Sequence, residues 1–217
     1  MTVAAIVLAP PPVADLRDES GRPLVRSIVD AATAGGAVPV YVVSPDADGS
    51  LANALAETDA IVIAPPDGAG PGIAWFAHGL LTALETVGGT SGALLWPGRH
   101  RWVDPETTTS LIEAHGVRPD AILRPTWSGT PGFPALVPVR YAAALGGLAG
   151  SDGPAALEAL AGQGVPVELL DLGDPGATHD AATPRDRLPA YEGPLAPASG
   201  HAHEWGSAAA ERPDEPA

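Results

Sequence analysis

The segment Val3-Ala4-Ala5-Ile6-Val7-Leu8 is an unbroken apolar run that leads directly into Ala9-Pro10-Pro11-Pro12. Such a run is typical of a strand that is buried on both faces of a sheet. In an α/β protein, the loop after the first strand often holds phosphate through backbone N–H groups and a lysine ammonium. Proline has no backbone N–H, and the basic side chains of the 217 residues are all arginine. The loop therefore has the position of a phosphate site without its usual donors.

Strand and helix patterns alternate along the chain as far as residue 192, which predicts one domain with a largely parallel sheet covered by helices. The composition then changes to Pro, Ala, Gly, Ser and Glu without periodicity, so we expect residues 193–217 to be a disordered tail. The predicted strands are Val3–Leu8, Val38–Val43, Ala60–Ala64, Ala93–Trp96, Ala121–Leu123, Ala135–Val139 and Val165–Leu172. The predicted helices are Pro23–Ala34, Leu51–Ala56, Gly72–Leu84, Pro105–His115 and Asp152–Ala161.

Composition excludes several classes of function. The formal charge of −15 repels nucleic-acid backbones, so we expect no nucleic-acid partner. The absence of cysteine excludes disulfides, thiolate metal sites and a cysteine nucleophile. No apolar run reaches the length of a membrane span, and the N-terminus has no basic leader pattern, so we expect a cytoplasmic protein without membrane contact.

Seven short motifs follow one another in the order found in a known family. They are Ala5–Ala9, Gly21–Val25, Gly72–Leu80, Asp104–Thr107, Gly129–Pro134, Leu148–Gly153 and Asp180–Asp186. Together they resemble the MobA-like nucleotidyltransferases, which add GMP or CMP to molybdopterin. The resemblance implies a three-layer α/β/α fold with a mixed, mostly parallel sheet. It also implies a site for a nucleotide and a pterin, with Mg²⁺ as the cofactor of an active member.

The same resemblance indicates which residues belong to that site. Asp104 and Asp180 are the positions for metal ligands. The candidate nucleotide- or ligand-binding residues are Leu8, Ala9, Pro10, Arg17, Arg22, Arg99, Arg101, Gly129, Gly132 and Asp152.

Four features that an active member needs are missing. The family signature L-A-A-G-x-G-x-R-M-G-x-x-K supplies glycines and a lysine, but the segment from Leu8 to Gly21 reads LAPPPVADLRDESG. The metal-binding aspartate after the fourth strand is replaced by the segment Trp96–Arg101, WPGRHR. In the late motif Asp180 remains, but the second aspartate is Ala182. Loss of loop glycines, lysine and two aspartates at one site favours a non-catalytic copy.

Three hypotheses remain. In the first, the chain is a degenerate member that binds a nucleotide, a pterin or a partner protein. In the second, it is an active transferase in which Arg17, Arg22 or Arg99 replaces the lysine, and Asp104 and Asp180 hold Mg²⁺. In the third, it is a scaffold that dimerises through its apolar helix, residues 72–84. The basic segment Arg99-His100-Arg101-Trp102 has two interpretations. Its arginines clamp an anion, or they pair with nearby acidic side chains.

Overall fold

The computed structural model describes residues 2–193, which form one mixed eight-stranded sheet. The strand order is β3-β2-β1-β4-β7-β5-β6, with β8 also paired to β5. Strands β1 to β4 are parallel, and β8 is parallel to β5, whereas β7 is antiparallel to both β4 and β5. The strands are β1 Thr2–Leu8, β2 Val40–Val43, β3 Ala60–Ile63, β4 Thr90–Pro97, β5 Ile122–Trp127, β6 Thr130–Pro131, β7 Ala135–Pro138 and β8 Val167–Asp171.

Helices cover both faces of the sheet, which confirms the three-layer α/β/α prediction. The side chains of β1 alternate, so that Val3, Ala5 and Val7 pack with α1 and α4, and Ala4, Ile6 and Leu8 pack with α3, α5 and α6. None of the helices within residues 2–193 is long and apolar enough to cross a membrane. The helices are α1 Leu24–Ala34, α2 Ser50–Ala54, α3 Ile73–Thr86, α4 Pro105–Val117, α5 Ala142–Gly146 and α6 Gly153–Gly162.

The apolar helix α3 lies directly against the centre of the sheet. A Cβ atom at Gly79 would come within 2.5 Å of the Ile6 side chain, so glycine permits this close approach. Trp75, Phe76 and Leu80 are buried in the same core, and only Leu81 among the large apolar side chains of α3 is substantially exposed. The surface proposed for dimerisation is therefore used mainly for internal packing.

The structure extends several predicted elements. Strand β4 was predicted only for Ala93–Trp96, but it pairs with β1 from Thr90 to Pro97. Strand β5 was predicted to end at Leu123, but its pairing with β8 continues to Thr126. The short helix α5 was not predicted, because its alanines and glycine carry little periodic signal. In each case pairing or packing from a distant segment, rather than local pattern, determines the element. The predicted tail, residues 193–217, lies outside the described residues apart from Gly193.

His115 makes the stability of this fold depend on pH. Its ring is fully buried on α4, with Nε2 3.1 Å from the Ser91 hydroxyl, and burial lowers its pKa from the usual value. Below about pH 6.5 the unfolded chain binds a proton that the folded chain disfavours. The free energy of unfolding should therefore fall with decreasing pH, by at most about 1.4 kcal/mol per pH unit for this ring, and be unaffected by it above pH 6.5.

We expect His115→Gln to reduce that slope between pH 6.5 and 5 in urea unfolding measurements. Burial also lowers the pKa of His100, so part of the slope should remain. His78→Gln, at a half-buried position on α3, is the matched control. An unaltered slope in His115→Gln would show that the His115 ring binds a proton equally well in the folded and unfolded protein.

Candidate functional site

A groove with a volume of about 930 Å³ opens at the carboxyl ends of β1 and β4. Its walls come from residues 16–24 after β1, residues 99–102 after β4, and residues 181–186. β2 and β4 lie on opposite sides of β1, so the strand order reverses between β1 and β4. In open α/β sheets, ligands commonly bind at such a switch point.

Within the loop after β1, the segment from Ala9 to Leu16 offers no free backbone donor to a phosphate. The Ala9 N–H donates to the Val43 carbonyl, and the three following prolines have no N–H. Residues 13–15 form a 3-10 turn whose N–H groups, with that of Leu16, are turned inward. They donate to Pro10 (from Val13 and Ala14), Pro12 (from Asp15) and Val13 (from Leu16). All N–H groups from Ala9 to Leu16 are therefore used inside the protein.

Gly98 closes the junction between the two central strands. Its N–H donates to the Leu8 carbonyl at 2.8 Å, and a Cβ atom there would overlap that carbonyl and contact Val13. Leu8 and Ala9 are buried, and neither they nor Pro10 lines the groove. The structure thus gives these three candidate binding residues a packing role at the base of the loop.

Four of the candidate arginines do come together in the groove, as Arg17, Arg22, Arg99 and Arg101 all line it. Two of them have acidic partners. The Arg22 guanidinium lies 3.5 Å from Asp18, and Arg99 Nε donates to Asp180 Oδ2 at 2.8 Å. Arg17 instead donates to the Ala14 carbonyl at 2.6 Å. Within the basic segment, Arg99 pairs with an acidic side chain, as one of the two interpretations predicted, whereas Arg101 does not.

The Arg101 guanidinium lies over an aromatic ring, and its own hydrogen bonding is incomplete. Its guanidinium carbon is 4.3 Å from the centre of the Trp102 ring, and Arg185 approaches the same ring at 5.9 Å. The Arg101 Nε is buried without a hydrogen-bond partner in the described chain. Burial lowers the pKa of Arg101 from its usual value.

The two predicted metal ligands do not fit a magnesium ion. Asp180 accepts hydrogen bonds from Arg99 and from the Ala182 N–H. Asp104 lies outside the groove lining and caps α4 by accepting the Glu106 N–H at 2.9 Å. Mg²⁺ needs several oxygen ligands in octahedral geometry. Residues 2–193 contain no group of three or more His, Asp or Glu side chains arranged to hold a metal ion.

The remaining candidates, Gly129, Gly132 and Asp152, do not line the groove. Gly129 forms the turn between β5 and β6 with a φ of 75°. Gly132 packs against the Ala177 backbone, and Asp152 caps α6 by accepting the Ala155 N–H at 2.8 Å. These residues shape the fold around the site, and the structure shows no ligand-facing role for them.

Two residues that contribute to the site were not among the candidates. Arg185 lines the groove beside Trp102. Asp174 is buried and accepts hydrogen bonds from the Asp104 N–H, the Thr107 hydroxyl and the Gly176 N–H, so it fixes the start of α4. Burial raises the pKa of Asp174 in spite of these bonds. Asp174 also caps the 3-10 helix at Pro175–Ala177. The Asp-Pro pair at residues 174–175, like the one at residues 104–105, was the sequence signal for that cap.

The fold and the groove define a class of nucleotidyltransferase-like proteins. The structure is similar to 4-diphosphocytidyl-2C-methyl-D-erythritol synthase from Anaerococcus prevotii, with a TM-score of 0.65 and 12% identity over 86% of this chain and 93% of that one. It is similar to the Mycobacterium tuberculosis protein Rv0371c in complex with manganese, with a TM-score of 0.55 and 22% identity over 79% and 88% of the two chains. It is also similar to a CMP:2-keto-3-deoxy-manno-octonic acid synthetase complexed with CTP, with a TM-score of 0.57 and 13% identity over 79% of this chain and 90% of that one.

At these identities the similar structures establish the fold alone. A family model is more specific, because the MobA-like NTP transferase domain matches residues 15–165. The chain belongs to the MobA-like NTP transferase family, as the motifs predicted. No curated protein sequence matches the chain.

The Arg99–Asp180 pair can be tested directly. Burial favours the neutral acid, but the hydrogen bonds from Arg99 and the Ala182 N–H, together with nearby positive charge, keep the pKa of Asp180 below its usual value. We expect Arg99→Gln to raise that pKa, as measured by a carbon-13 NMR titration of the carboxyl group. Arg118→Gln is the matched control, because Arg118 pairs with Glu168 elsewhere and should not affect Asp180. An unchanged pKa in Arg99→Gln would mean that the ion pair is not formed in solution.

Proposed function

We propose that this MobA-like protein binds a phosphorylated small molecule in the arginine groove without magnesium and does not transfer a nucleotidyl group. The observation that carries the proposal is the set of arginines in the groove that have no acidic partner in the described chain. Arg17, Arg101 and Arg185 line the groove and form no ion pair within residues 2–193. In a chain with a formal charge of −15, such a local excess of guanidinium groups needs an explanation.

Guanidinium groups suit this role because they are always charged and can donate two parallel hydrogen bonds to a phosphate. Asp18, Glu19 and Asp186 also line the groove, so five arginines there face three acidic side chains, and the Asp18 carboxylate is engaged locally. It accepts hydrogen bonds from the Ser20 hydroxyl, the Arg22 N–H and the Ser20 N–H, which hold the pKa of Asp18 below its usual value. The groove therefore keeps net positive donors for a ligand.

The proposal that no nucleotidyl group is transferred rests on the hydrogen-bond donors and carboxylates that the groove makes available. Phosphoryl transfer depends on positioning and on neutralising charge at the transferred phosphate and the leaving group. Residues 9–16 of the loop after β1 have no free N–H for this task, and Asp180 is paired with Arg99. Nucleotides and phosphorylated pterins, the substrates of active relatives by family resemblance, are the first ligands to test.

We expect calorimetric titration with CTP, GTP and ATP to show binding in EDTA that magnesium does not strengthen. Arg101→Gln should weaken binding about tenfold or more, because charged hydrogen bonds contribute about 1.5–3 kcal/mol. Arg118→Gln removes the same charge outside the groove and should bind normally. A parallel assay should detect no pyrophosphate release in the presence of a pterin acceptor.

The remaining outcomes decide between the alternatives. Tight binding that requires magnesium, with pyrophosphate release, would contradict the proposal and support an active transferase with a rebuilt site. No binding of any phosphorylated ligand would also contradict it and would leave a scaffold, or a subunit that binds a partner protein or a second copy. Circular dichroism of each variant establishes that lost binding is not lost folding.

A further inference from the structure

We propose that the groove recognises the polyphosphate part of its ligand and does not distinguish the base, so that inorganic polyphosphates and nucleoside triphosphates bind alike. This inference rests on the proposed binding function and specifies its ligand class. It depends on which groups of the groove remain available after the internal contacts have been counted. The Trp102 ring, the N–H groups of residues 181–183 and the Ser20 hydroxyl are already used in internal contacts, whereas Arg101 and Arg185 form no ion pair within residues 2–193.

The first such group is the aromatic ring. Trp102 is the one aromatic side chain that lines the groove within the described residues. Its ring lies under the Arg101 guanidinium at 4.3 Å and near Arg185 at 5.9 Å. Its Nε1–H donates to the Asp180 and Thr183 carbonyls, both at 3.1 Å. A base that stacked here would have to displace arginine, so the stacking that normally attracts bases is not offered.

The second group is the backbone beside the groove. The N–H groups of residues 181–183 could in principle read the edge of a base, but all three are engaged. Ala181 N–H donates to the Arg99 carbonyl, Ala182 N–H to the Asp180 carboxylate, and Thr183 N–H to the Asp180 carbonyl. This loop is therefore a wall of the groove and not a set of base-specific contacts.

Neutral polar side chains in the lining are also few. Ser20 and Thr183 are the two hydroxyl groups in the described lining. The Ser20 hydroxyl donates to Asp18 at 2.6 Å and accepts from Arg22 Nε at 3.1 Å. This leaves the Thr183 hydroxyl, which can both donate and accept and so matches any base. One such group is insufficient to select a single nucleotide.

The unpaired arginines, in contrast, favour several phosphates at once. Arg101 and Arg185 both lie against the Trp102 ring, at 4.3 Å and 5.9 Å from its centre. Burial lowers the pKa of Arg101, the Asp18 carboxylate raises it, and the like charge of Arg185 lowers it. An extended polyanion would contact both guanidiniums and relieve their repulsion. A single phosphate has fewer oxygens for the same set of donors, and we expect affinity to increase with the number of phosphates.

The test is calorimetric titration in EDTA with phosphate, pyrophosphate, tripolyphosphate, ATP, GTP and CTP. We expect the three nucleotides and tripolyphosphate to agree within about threefold, and phosphate to bind at least about tenfold more weakly than tripolyphosphate. A preference of about tenfold or more for one nucleotide would show base-specific contacts, and binding of a nucleotide without tripolyphosphate would show that the base is stacked, which contributes about 1–3 kcal/mol. Either result would overturn the inference.

Variants separate this inference from the proposed function. Arg101→Gln and Arg185→Gln should weaken ATP and tripolyphosphate by the same factor, because both ligands use phosphate contacts only. A larger loss for ATP would show that these arginines contact the nucleoside and would contradict the inference. Arg118→Gln should affect neither ligand. If no anion binds to the wild-type protein, the proposed function itself fails; if anions bind with base preference, only the present inference fails.

Discussion

The pairing of β1 with β4 is the constraint on which the site depends. These two central strands run parallel from the Thr2–Thr90 pair to the Leu8–Pro97 pair, and the Gly98 N–H extends the pairing by one more hydrogen bond. The pairing brings the loop after β1 and the basic segment after β4 to the same edge of the sheet. Because a Cβ atom at position 98 would lie 3.0 Å from the Val13 side chain, glycine allows the first loop to pack closely against this junction.

Arginine and aspartate occupy the place where the family pattern has metal ligands and a lysine. The Arg99–Asp180 ion pair is half-exposed, so its contribution to stability is small, in the range typical of surface pairs. Its effect on chemistry is larger, because a carboxylate that accepts from a guanidinium and a backbone N–H has little capacity left for a cation. The same contact anchors residues 180–183 beside Trp102 and so shapes one wall of the groove.

Local signals were sufficient to predict much of the fold and part of the site. The apolar run of β1 and the Asp-Pro pair before α4 specify a buried strand and a capped helix within a few residues. Arg99 and Arg101 were recognisable as a basic cluster after a strand. The sequence could not show that they have different partners, because Asp180 is 81 residues away from Arg99 and contacts it only in the tertiary fold.

The distinction between binding and catalysis follows from when an interaction becomes favourable. Guanidinium groups in fixed positions neutralise phosphates that are already charged in the bound ligand, so they stabilise the ground state and the transition state alike. Such uniform binding increases affinity without accelerating transfer. Acceleration needs donors aimed at charge that develops during the reaction. In this groove residues 9–16 of the first loop and Asp180, where the family pattern would supply such groups, are engaged in internal hydrogen bonds. Under the proposed function, the stabilisation that the remaining arginines provide is therefore expressed as affinity and not as rate.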